Sequence, residues 1–215
     1  MENKLFYKSV NPYLLEVLHI LMEADCLEKF RLIGGTALSL HRGHRESVDI
    51  DLFTDAEYGS VDFEAINSLI RKTFPYFDTN DYKEVGMGRS YYVGKSKSDC
   101  IKIDLFYTDK YIQDFLDVDG IRLASIGEII AMKMDVVSRG GRKKDFWDIH
   151  ELKDEYSFNE MLALHEKRYP YTHDEKIIEN NFTNFISADE DFDPICLRGK
   201  HWEIIKLDLI DFAKK

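Results

Sequence analysis

The stretch from Leu32 to Phe53 constrains this chain more than any other. It puts a Gly34-Gly35-Thr36 turn ahead of an Asp49-x-Asp51 pair, with twelve residues between Thr36 and Asp49. Two adjacent glycines allow positive φ and close backbone approach. The run that follows, Ala37-Leu-Ser-Leu40, reads as the start of a helix, whose first N–H groups can cradle a phosphate. From Ser47 to Phe53 the sequence alternates with period two: Val48, Ile50 and Leu52 point one way, Asp49 and Asp51 the other. Two carboxylates one residue apart on a strand face can share a hard cation such as Mg²⁺. A glycine turn and a carboxylate pair together suit a metal-bound nucleoside triphosphate, whereas an isolated Asp-x-Asp would suit an ordinary solvated strand.

The wording around these residues carries a resemblance. A Gly-Gly turn, a spacer and Asp-x-Asp resemble the signature of the nucleotidyltransferase superfamily with the DNA polymerase β-type fold. The fuller text, Gly34-Gly-Thr-Ala-Leu-Ser-Leu40 followed by His44-Arg-Glu-Ser-Val-Asp-Ile-Asp-Leu-Phe53, is similar to the AbiEii/AbiGii nucleotidyltransferase toxin family of abortive-infection and toxin–antitoxin systems. The resemblance implies an α+β fold. A polymerase β-like α/β lobe with a mixed sheet, residues 1–110, would be followed by a helical lobe, residues 111–215, that completes the active site. It covers most of residues 30–152.

The same resemblance assigns roles. Asp49 and Asp51 would hold Mg²⁺ (or Mn²⁺), with Asp104 as the third carboxylate on a neighbouring strand. In Ile101-Lys-Ile-Asp-Leu-Phe106, Lys102 and Asp104 face away from the apolar Ile101, Ile103 and Leu105. Lys133 on one helix and Asp145 and Asp148 on the next resemble the C-terminal motifs of the family. Lys133 sits among apolar residues, a costly place for a cation unless it is paired or bound to phosphate. Asp145 and Asp148, at i and i+3, share a helix face. One could hold Lys133 or Arg139 while the other contacts nucleotide or metal; alternatively all belong to a structural ion-pair network. Gly34, Gly35, Thr36, Arg45, Ser47 and Lys133 make up the expected nucleotide-binding set, with Arg45 as a fork donor to phosphate oxygens.

The remaining residues bound the setting. Hydrophobic residues make up 44% and charged residues 32% of the 215, as in a globular protein. The start lacks the apolar core of a signal peptide, and Leu14–Met22 is shorter than the roughly 20 apolar residues that span a bilayer. Cys26, Cys100 and Cys196 have no zinc or disulfide spacing, so a reduced cytoplasm is the expected setting. His41 and His44 lack the further ligands a zinc site needs. Trp147 and Trp202 are expected to pack.

A net charge of −11 argues against a protein coated in basic surface for long nucleic acids. Two basic clusters, His41–Arg45 and Arg139–Lys144, interrupt that acidity; the second is the expected strand-contacting patch. By resemblance the acceptor of the nucleotidyl group would be the 3′ end of tRNA, and a cognate antitoxin would be a partner. Two other readings stand beside it: nucleotidylation of a protein side chain, and a partner-binding protein whose catalysis is dispensable.

Hydrophobic spacing predicts helices over residues 11–30, 36–41 and 62–74. It predicts strands at 31–33, 47–53, 90–93 and 100–107, with a hairpin turn over 94–99. Ser125-Ile-Gly-Glu128 reads as a capping box opening a helix that ends at Gly140-Gly141. Another helix is expected at 143–152, and three more pieces after it.

Overall fold

The computed structural model describes residues 4–79 and 86–214. Asn11 starts the first helix by accepting a hydrogen bond from the Tyr13 N–H, and Pro12 occupies the first position of α1 (Pro12–Met22). Periodicity alone would carry this helix to residue 30, yet it stops at Met22. The guanidinium of Arg122, at 2.9 Å in each case, donates to the carbonyls of Met22, Leu27 and Phe30. A side chain about a hundred residues away thus satisfies the released carbonyls, while a short 3-10 turn, Asp25–Leu27, swings Leu27 and Phe30 into the core.

The chain then enters β1 (Arg31–Leu32), α2 (Gly34–Arg42) and β2 (Ile50–Thr54). Strand β2 starts three residues later than the alternation suggests. Val48 is 64% exposed, whereas Ile50 and Leu52 are buried. Residues Ser47–Asp49 are held instead by hydrogen bonds to Ser9 and Thr36.

After α3 (Phe63–Thr73) come β3 (Tyr76–Asp78), β4 (Gly88–Ser96) and β5 (Asp99–Tyr107). The β4–β5 hairpin is longer than expected, pairing as far as Ser96 with Asp99 through an irregularity at Gly94. A Cβ at Gly94 would lie 2.1 Å from the Asp99 carbonyl, so the bulge requires glycine there.

A second hairpin lies beyond residue 110, where a purely helical lobe was expected. Strands β6 (Leu116–Val118) and β7 (Ile121–Leu123) pair across Asp119-Gly120, both at positive φ. Asp-Gly is the dipeptide that such a two-residue turn selects. Strand β7 docks parallel to β1, so the sheet continues to Leu123. Its order is β3-β4-β5-β2-β1-β7-β6, and it is mixed: β2–β5 and β1–β7 are parallel, the other pairs antiparallel.

Helices α4 (Ile126–Ser138) and α5 (Lys143–Leu152) follow, then α6 (Phe158–Arg168), α7 (Glu175–Phe182), α8 (Ile186–Asp189) and α9 (Trp202–Phe212). The one-turn α8 is the piece periodicity does not reveal. Only the serine half of the expected capping box forms at Ser125. The Glu128 carboxylate turns away to the Ile112 and Gln113 N–H groups and to Arg168, and both members of that ion pair are fully buried. One continuous core joins the sheet to the helices, from Leu14 and Leu18 through Ile50 and Ile103 to Met134, Phe146 and Ile205. Trp147 and Trp202 stack within it, their planes 9° apart. No described helix is long and apolar enough to cross a membrane.

Candidate active site

The site is built where β1 turns into α2. Gly34 adopts φ +68°, and a Cβ on it would lie 2.7 Å from Asp51 Oδ2. Glycine is therefore needed twice over, for the backbone and for the carboxylate lying against it. The Ile33 N–H donates to the Asp51 carbonyl at 2.9 Å, fixing turn and strand together. Among the described residues no side chain caps the start of α2, an arrangement whose first-turn N–H groups are suited to an anion.

Asp51 and Asp104 are register partners on the parallel strands β2 and β5. Burial pushes the Asp51 carboxyl up to about 6; Asp104 and then Asp49 add to this by repulsion, and Lys133 and Lys144 oppose it. The three expected carboxylates thus share one electrostatic neighbourhood. They do not close around a point: among the described residues, no group of three His, Cys, Asp or Glu side chains is gathered as a metal-ligand set. Asp104 accepts from Ser90 Oγ at 2.6 Å and from the Lys102 ammonium. In donor chemistry the set nevertheless fits a hard divalent cation. It is all oxygen, and the repulsion that raises Asp51 is what such a cation relieves.

Behind the glycine turn lies a second charged group, sealed from water. Asp148, with no exposed side-chain surface, accepts from Arg45 Nε at 2.6 Å and Nη2 at 2.8 Å. It also meets His44 Nε2 at 2.8 Å and Lys133 Nζ at 2.7 Å. Lys133 reaches Asp145 at 2.6 Å, and Asp145 accepts from the Arg142 N–H at the start of α5. Burial alone would raise the Asp148 carboxyl, but Arg45 and Lys133 hold it well below the ordinary carboxylate range. Lys133 is raised in turn: burial works against its charge, and Asp148 and Asp145 outweigh it.

This arrangement changes several expected roles. Arg45 was expected to face the triphosphate. It is buried and forks onto Asp148, and a Cβ on Gly35 would stand 2.3 Å from its Nη2. A side chain at position 35 would therefore have to displace the Arg45 guanidinium from Asp148. The Thr36 hydroxyl is buried, bonded to Ser47 Oγ at 2.8 Å and to the Asp49 carbonyl, so Thr36 and Ser47 hold the start of β2. Both Asp145 and Asp148 hold Lys133, and neither holds Arg139, which pairs with Asp135.

The basic clusters are mostly neutralised inside the molecule. Arg42 pairs with Glu155, Arg142 with Asp191, and the buried Lys143 with Asp193. Among the described residues Lys144 forms no ion pair, and it lines an open cleft of about 300 Å³ with Asp49, Arg142 and Asp191.

Ser90, Lys102 and His44 lie outside the expected site, and Lys144 is expected only as part of the basic patch at residues 139–144. Lys102 has a local signal, two residues from Asp104 on the same strand face. Ser90 and His44 depend on register or on docking of distant segments.

Residues 17–213 match the family described as nucleotidyl transferase AbiEii toxin, type IV TA system. The uncharacterized protein aq_aa25 of Aquifex aeolicus (strain VF5) is 27% identical over 161 residues, which cover 72% of this chain and 73% of that one. Among solved structures, JHP933 from Helicobacter pylori is similar at a TM-score of 0.58 and 19% identity, covering 96% of this chain and 92% of that one. The nucleotidyltransferase toxin MenT4 of Mycobacterium tuberculosis H37Rv is similar at a TM-score of 0.54 and 13% identity, covering 94% and 82%. At such identities the structural likeness speaks for the fold, and that fold is the nucleotidyltransferase one expected. With its family match running from α1 to the C-terminal helix, the chain belongs to the AbiEii nucleotidyltransferase toxin family of type IV toxin–antitoxin systems, and it is a nucleotidyltransferase.

Proposed function

We propose that this toxin moves a nucleoside monophosphate from an NTP to the 3′ end of a tRNA in a divalent-cation-dependent reaction, and that a cognate antitoxin restrains it. The observation that carries this reading is the contact between Gly34 and Asp51, with Asp104 in register beside it. It sets an uncapped helix start, suited to phosphate, directly against a carboxylate face suited to a cation.

The triphosphate lies on the N–H groups at the start of α2. Asp49, Asp51 and Asp104 would hold Mg²⁺ or Mn²⁺, which supplies charge neutralisation for the phosphates and acidifies an attacking hydroxyl. The acceptor oxygen bonds to the α-phosphorus as the bond to pyrophosphate breaks, and the acceptor proton passes to a carboxylate of this face. Lys133 and Arg45 act from behind: their ion pairs with Asp145 and Asp148 lock α4 and α5 against the glycine turn, so the site is preorganised.

An RNA terminus suits this surface better than a long duplex. The net charge is −11 and the basic clusters are mostly paired internally, so any strand contact is small and centred on Lys144. The test is incubation with Mg²⁺, each α-labelled NTP in turn and total cellular RNA, beside an Asp49→Ala/Asp51→Ala double variant. Label on tRNA with one NTP preferred and the variant silent is the expected result. Label on protein instead would move the acceptor to a side chain, and no label anywhere would overturn the reading.

A further inference from the structure

Lys102 lies beside the carboxylates and has no role in the reading above. It shares the half-buried face of β5 with Asp104, and its ammonium pairs with Asp104 Oδ2 while Ser90 holds Oδ1. Both oxygens of the third carboxylate are therefore occupied by side chains of the chain itself. Ser90 is fixed opposite Asp104 by the β4–β5 register. Lys102 is different: its side chain is 36% exposed, against 17% for Asp104, so a flexible four-carbon stem ends at the open side of the site. Its ammonium thus stands at the edge of the carboxylate face, on the one carboxylate it pairs with among the described residues.

We propose that Lys102 is a transferable counter-ion: it neutralises Asp104 until a divalent cation takes that carboxylate, and the displaced ammonium then binds the triphosphate. This rests on the nucleotidyl-transfer reading and adds to it a nucleotide-binding residue. The physical reason is charge balance. Three carboxylates and one lysine cannot all keep their partners once a doubly charged cation arrives, and the polyphosphate that comes with it is the nearest new anion. A lysine on a strand is well suited to such a move, because its point charge needs no fixed fork geometry.

The two halves of the proposal predict effects of opposite sign for one substitution. In Lys102→Met the stem is kept and the competitor charge removed. Mn²⁺ alone, followed by loss of the free-ion signal in electron paramagnetic resonance, should bind about fivefold more tightly than to the wild type. ATP, GTP, CTP and UTP, each titrated at saturating Mn²⁺, should bind about tenfold more weakly wherever the wild type binds. Lys102→Arg should resemble the wild type in both titrations. Unchanged or weaker Mn²⁺ binding in Lys102→Met would overturn the inference, since a merely structural lysine would weaken both ligands together. Failure of the underlying reading looks different. Wild type and Lys102→Met would both ignore Mn²⁺, or the Asp49→Ala/Asp51→Ala variant would bind it undiminished, and the inference would fall with that reading.

Discussion

Two charged groups sit on either side of the same glycine turn, and they are built on opposite principles. The group of Arg45, Lys133, Asp145 and Asp148 is balanced, two cations against two anions, and its side chains are at most 8% exposed. The group of Asp49, Asp51 and Asp104 is unbalanced, with one directly paired lysine among the described residues, and it reaches solvent. Arg45 and Lys133 lower the Asp148 carboxyl, whereas burial first, and then repulsion from Asp104 and Asp49, raises that of Asp51. The first arrangement favours the charges it holds and so fixes helices to the sheet. The second leaves charge uncompensated beside the glycine turn, where the proposed reaction would bring metal and nucleotide, and uncompensated charge of this kind is common at functional sites.

The comparison breaks most visibly at Asp148. Asp148→Ala strands Arg45 and Lys133 without their shared partner, and stability should fall by about 3–5 kcal/mol. Urea unfolding checks this, and a loss below about 1 kcal/mol would mean the buried group is not what joins the lobes.

Asp51→Asn should act in the opposite direction on stability while abolishing transfer. A carboxyl raised to about 6 from its ordinary 3.8 costs the folded state stability whenever it is ionised. The variant should therefore be more stable than wild type by about 1–3 kcal/mol above pH 6, less at its partly solvated position than the full shift implies. That advantage should shrink as pH falls through 6 and vanish below about 3.8, where both states are protonated. Melting curves across pH 3.5 to 8 read the sign directly, and a variant less stable at pH 8 would show that Asp51 is not under repulsive strain.

Gly34→Ala sharpens the contrast at the turn between the two groups. The positive φ should cost about 1–2 kcal/mol, and the new Cβ must displace the Asp51 carboxylate. Nucleotide labelling should collapse while the fold persists by circular dichroism; full activity would show that Asp51 need not lie against the turn. The smallest effect belongs to Arg139→Ala. Its exposed pair with Asp135 is worth under about 1 kcal/mol, and RNA labelling should stay within about twofold of wild type. A larger drop in labelling would restore residues 139–144 as a strand-contacting patch.

Local rules made some of this legible in the sequence. Alternation put Asp51 and Asp104 on the polar face of strands whose other face, Ile50, Leu52, Ile103 and Leu105, is buried. Spacing placed the glycine turn and the helices α3, α4 and α5 to within a few residues. Where the reading missed, the cause was distant. Arg122 ends α1 early, the Ser9 and Thr36 contacts delay β2, and an Asp-Gly hairpin beyond residue 110 adds two strands to the sheet.

The sequence by itself determined the family, the glycine turn and the carboxylates that face it, because these rest on residue type and on periods of two and three to four residues. Only the tertiary structure decided which charges meet. Arg45 and Asp148 are 103 residues apart, and Lys133 must choose among several acids within reach of its helix. Charge pairing depends on distance and burial, and a linear pattern records neither. The same arginine, lysine and aspartates could equally have formed an open phosphate-binding surface, until packing placed them behind the turn and left Asp51, Asp104 and Lys102 in front of it.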